Sequence, residues 1–168
     1  MTACLRAPLA CASVALLVVV ALFAVGRAEA APDSTQTFAA GEACAFALRI
    51  DITGSTQVNK TFEGADGRVR LLSAGTGSDL VFTNLATGKT FTLTGNGSVT
   101  WTRIDASGSA RLTLTGHNIA IYFPTDIPAG PSTTLVVGRE DIAVDLATFQ
   151  FTRLSRIGNT TDICAALS

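Results

Sequence analysis

From position 44 to 52 the chain reads Cys-Ala-Phe-Ala-Leu-Arg-Ile-Asp-Ile, and this alternation constrains the fold more than any other feature. Phe46, Leu48, Ile50 and Ile52 fall on one side of an extended backbone, with Arg49 and Asp51 on the other. A period of two does not fit the 3.6-residue repeat of a helix. It describes a strand with one face in a core and the other in water. Segments 67–72, 79–84, 89–94, 98–104, 110–115, 119–123, 133–137, 141–146 and 148–154 read the same way. Turn residues separate them roughly every eight to twelve positions. Threonine, a β-branched residue suited to strands, is the commonest residue after position 30.

Helical stripes are missing from this region, apart from single turns at 41–43 and 161–167, the second with Thr161 as its expected cap. The fold class is therefore all-β: one antiparallel meander of about nine to eleven short strands, closed as a β-barrel or folded into a β-sandwich. Sequential hairpins favour the barrel. Turns are expected at 63–67, 85–88, 95–97 and 105–108 and at Gly-Arg-Glu-Asp (138–141), and a turn or bulge around His117 in Gly-His-Asn (116–118). The three prolines of 124–132 make that stretch a stiff surface loop. Trp101 is read as core, as are Phe46, Phe62, Phe82, Phe91, Phe123 and Phe151.

The N-terminus has a different character. Arg6 precedes an apolar run over 9–25, and Ala28-Glu29-Ala30 fits the small-x-small rule for signal peptidase. Residues 1–30 are expected to be a signal peptide cleaved after Ala30, followed by an extended N-terminal segment, 31–42, and a single all-β domain, 43–168. The alternative, a retained anchor, stands at the lower edge of the length a membrane-spanning helix needs. After cleavage no membrane span is expected. Loss of Arg6, Arg27 and Glu29 shifts the formal charge from −1 to about −2, and the remaining charges are mixed without basic runs. A nucleic-acid partner is therefore not expected.

Cleavage also removes Cys4 and Cys11, leaving Cys44, at the start of the first expected strand, and Cys164 near the C-terminus. In an exported chain two such cysteines most simply form one disulfide. A loop of that length stabilises by about 4–5 kcal/mol in the chain-entropy treatment.

No constellation of catalytic residue types is strong. His117, the single histidine, and Tyr122 are weak candidates for acid–base roles in a barrel cavity; a solvated turn is the blander reading of His117. One histidine with two disulfide-forming cysteines leaves no zinc site, and the Asp-x-x-Gly turns lack the frame of a calcium loop. No cofactor is expected. The order Cys-x-Phe-x-Leu-x-Ile (44–50), Thr-Asn-Leu-x-Thr-Gly-Lys-Thr (83–90), Gly-Asn-Gly (95–97) and Asp-Ile-Cys (162–164) resembles a group of small secreted actinobacterial β proteins without assigned function. The resemblance implies an exported, disulfide-closed β fold and carries no site. The expected function is a secreted binding or interaction module for a small apolar ligand or another extracellular protein. A barrel-cavity enzyme and an envelope structural component are the alternatives.

Overall fold

A computed structural model describes residues 31–63, 69–105 and 109–168. The expected signal peptide lies outside the described residues, as do most of the turns expected at 63–67 and 105–108. The described elements are β1 (Ser34–Phe38), β2 (Leu48–Glu63), β3 (Val69–Asn84), β4 (Thr90–Leu93), β5 (Ser98–Ile104), β6 (Ser109–Tyr122), β7 (Ser132–Asp145), β8 (Phe151–Asp162) and α1 (Ile163–Leu167). All pairings between these strands are antiparallel, in the order β1-β2-β3-β5-β6-β7-β8. β4 pairs with residues 80–83 of β3 and β5 with residues 69–75, so the two act as one strand interrupted at 94–97.

The all-β meander is as expected, but it does not close into a barrel: β1 and β8 are the open edges of the path. The segment 31–42 joins the sheet as β1, and Cys44 sits ahead of β2 rather than opening the first strand. Strands are also fewer and longer than expected, eight among the described residues. The register of β6 with β7 runs unbroken from the Ser109–Asp145 pair to the Tyr122–Ser132 pair. His117, Glu140 and Asp141 are therefore inside strands, not in turns. The reason is that a glycine serves a bend as well as it serves a turn.

Those glycines line up. Gly75, Ser98, Gly116, Gly138 and Gly158 lie opposite one another across neighbouring strands. Gly138 has φ 150°, and a Cβ there would lie 2.2 Å from the carbonyl oxygen of Ile157. At the four glycines there is no room for a side chain, and Ser98 is the one member of the row that carries one. The row is a crease. In the β6–β7 register Ser132 lies opposite Tyr122, yet the Tyr122 hydroxyl reaches Glu140, on the far side of the crease.

Folding along the crease makes two cores. In the first, Leu48, Ile50 and Phe82 are buried with Ala43, Cys44, Ile163 and Leu167, and Ile119, Ile121 and Leu135 pack against them. The even-numbered positions of 44–52 thus face inward as expected, while Arg49 and Asp51 pair outside at 3.0 Å. Side chains such as Leu48 and Phe82 each gain about 1.5–3 kcal/mol from full burial. The expected Cys44–Cys164 disulfide is formed, with the two Cα atoms 5.5 Å apart, and it fastens α1 to this core. Asp162 caps α1 by accepting from the Ala165 N–H at 2.9 Å, in place of the expected Thr161. The second core gathers Ala110, Ala120, Tyr122, Val136, Ile142 and Val144, with Phe151 against it. Among the expected core aromatics, Phe62 and Phe123 are exposed instead. The loop before β7 is pinned by buried Asp126, which accepts from the amides of Phe123 and Phe151 at 2.7 and 2.8 Å.

Candidate functional site

Glu140 and Asp141 are neighbours on β7, so they point to opposite faces of the sheet. Glu140 faces the second core and is fully buried. Its Oε1 accepts from the Tyr122 hydroxyl at 3.0 Å and from Arg156 Nε at 2.9 Å. Glu140 Oε2 has no hydrogen-bond partner among the described residues. A bulge between Asp141 and Ile142 sets Ser155 opposite Asp141 and Arg153 opposite Ile142, with Leu154 as the extra residue. Arg153 and Arg156 therefore share a face although three positions apart. Their guanidinium carbons lie 5.8 and 5.9 Å from the centre of the Tyr122 ring.

Burial, followed by the negative charge and hydrogen bond of Glu140, pushes the Tyr122 hydroxyl well above the ordinary phenol range. Tyr122 keeps its proton and donates a hydrogen bond to Glu140. The sequence paired Tyr122 with His117, but the structure does not bring them together. His117 lies half-buried on the other face of β6, its Nε2 3.2 Å from Asn96 Nδ2. Among the described residues no acid or tyrosine is hydrogen-bonded to it. It borders a cavity of about 270 Å³ at the crease, lined also by Ile52, Leu80, Leu93, Ile119 and Leu135.

On the outer face, Asp141 is held from three sides. Arg139 donates through Nε and Nη2, both at 3.1 Å, Thr113 Oγ1 at 2.6 Å and Ser155 Oγ at 2.9 Å. The Arg139 bonds first, then the Thr113 hydroxyl, pull the Asp141 carboxyl down to about 2.

The open site lies further along this outer face. Register places Arg70 of β3 opposite Arg103 of β5, and Arg103 opposite Arg111 of β6. Adjacent strands are about 4.8 Å apart, so the row carries cationic groups at that interval. Two positions from Arg103 on the same strand face is Trp101, expected in the core but 38% exposed. Its ring stacks against that of Phe62 with centroids 6.5 Å apart. The arginines, Trp101 and Asp105 border a hollow of about 620 Å³ open to solvent. Arg70 is already engaged, whereas Arg103 and Arg111 form no ion pair or hydrogen bond among the described residues.

Sequence reasoning missed this row. A four-residue turn at 105–108 would set position 103 against 110, so even the Arg103–Arg111 pair emerges only from the observed register. Arg70 joins only through the long-range pairing of β3 with β5. No three His, Cys, Asp or Glu side chains gather for a metal among the described residues, and no described helix is long and apolar enough to cross a membrane. Comparison with protein-family models, with curated proteins and with solved structures finds no match to this chain.

Proposed function

We propose that this chain is exported, loses residues 1–30, and works outside the cell as a binding module without catalysis. The observation that carries this reading is a contrast in how its polar groups are used. The groups closest to acid–base chemistry are spent internally, with the Tyr122 hydroxyl on buried Glu140 and His117 on Asn96. The solvent-open hollow beside Trp101 offers cationic and aromatic binding groups. Export is supported by the apolar run 9–25 ahead of Ala-Glu-Ala, and by a disulfide of the kind that persists in oxidising compartments.

The cavity at the crease favours a second ligand, small and apolar, since five aliphatic side chains line it around His117. Native mass spectrometry of protein recovered from the medium of producing cells tests the proposal. A chain beginning at Ala31, two hydrogens lighter than its reduced form, is expected. A chain still carrying residues 1–30, or one with two free thiols, overturns export and maturation as stated.

A further inference from the structure

We infer that the hollow bordered by Arg103, Arg111 and Trp101 binds an acidic saccharide, its carboxylate or sulfate groups on the arginines and a sugar ring against the indole. The inference rests on the binding-module reading and names the ligand class of that site.

Like charges directly opposite one another on neighbouring strands destabilise a sheet. Here three arginines are aligned in that way, in a chain whose overall charge is −1. The row is thus a local concentration of cation, not a reflection of basic composition. The nearest acid on the next outer-face row, Asp141, is already held by Arg139, Thr113 and Ser155. Asp105 stands at the border of the hollow, with one oxygen on the Ser109 amide at 3.1 Å. Charge complementarity therefore calls for an anion.

Three further features select the kind of anion. Guanidinium groups present planar paired donors that match carboxylate and sulfate oxygens, which an ammonium does not. A row of arginines one strand apart suits charges repeated along a polymer better than one compact ion. The exposed indole, broadened by the Phe62 ring, offers a flat apolar surface to the C–H face of a sugar. A single exposed indole beside a short cationic row is less than a single-stranded nucleic acid requires, since such sites stack several successive bases.

Trp101 is the only tryptophan, so its fluorescence reports on this site alone. The purified protein is titrated with a heparin hexasaccharide, an oligogalacturonate, neutral maltohexaose and an oligo-dT of similar length. One or both acidic sugars are expected to change the Trp101 emission and to bind on the order of tenfold more weakly when salt rises fourfold. Binding of heparin alone assigns the contacts to sulfate, since both acidic probes carry carboxylates. Maltohexaose should leave the emission unchanged. The double variant R103Q/R111Q should bind at least about tenfold more weakly by calorimetry, as two charge-assisted contacts imply. Trp101→Ala, which changes an exposed side chain, should also lose affinity in calorimetry. Equal binding by R103Q/R111Q overturns the site and leaves the binding-module reading standing. Tighter binding of oligo-dT than of either acidic sugar overturns the ligand class. No binding of any probe overturns the inference, and a different ligand found by native mass spectrometry would then keep the wider reading alive.

Discussion

Two groups of arginines occupy opposite faces of the same sheet, and their surroundings differ in kind. Arg153 and Arg156 point into the second core, where Arg156 pairs with Glu140 and both lie over the Tyr122 ring. Arg103 and Arg111 point outward beside an exposed indole, in line with Arg70. In the first group Arg156 has a counter-charge within the chain and Arg153 an aromatic ring, as burial demands, because an unpaired buried charge costs several kcal/mol. In the second, water screens the charges and the fold tolerates repulsion at small cost. Charges that the fold needs are compensated where they stand, while those left open on a surface are free for a partner.

The most severe way to break this contrast is Glu140→Gln. It leaves Arg156 half-buried without its counter-charge, and we expect a loss of about 3 kcal/mol in a denaturant titration. A change below about 1 kcal/mol would mean that Glu140 does not organise the interior arginines. Asp141 should matter less. Its carboxyl, ordinarily near 3.8, is held at about 2 in the fold, so its contribution is complete above pH 3.8 and disappears as pH falls through 2. The shift corresponds to about 2 kcal/mol. Comparing the acid limb of unfolding with that of Asp141→Asn checks it: the variant should be less stable at neutral pH and lose less between pH 4 and 2.

Smaller again is Tyr122→Phe, which removes one hydroxyl bond to Glu140 while keeping the ring beneath the arginines. About 1 kcal/mol is expected from thermal unfolding. The smallest effect on stability belongs to the outer group. R103Q/R111Q should alter stability by no more than about 0.5 kcal/mol, with any change a gain at low salt as repulsion is relieved. A clear loss would show that these arginines hold the sheet together and would erase the distinction between the two groups.

Several of these features could be read before folding, and others could not. The alternation at 44–52 placed Leu48 and Ile50 inward and Arg49 outward, and the two late cysteines gave the disulfide. Gly116-His117-Asn118 and Gly138-Arg139-Glu140-Asp141 have the composition of turns and yet run inside paired strands. A glycine with positive φ ends a strand when the chain reverses, and only bends it when a neighbouring backbone continues alongside. Trp101 was misplaced for a related reason. Alternation fixes which residues share a face but not which face meets the core.

By itself the sequence determined strand character, the pairing of like faces along each strand, and the single covalent link between the two ends of the β unit. These follow from local periodicity and from a count of cysteines. Only the tertiary structure decided that the meander stays open, that four glycines and Ser98 from five strands form one crease, and that Tyr122 crosses it to Glu140. It alone set Arg70, Arg103 and Arg111 in a row beside Trp101. The physical reason is that register depends on pairings between distant segments, and a shift of one residue would send each of those side chains to the other face.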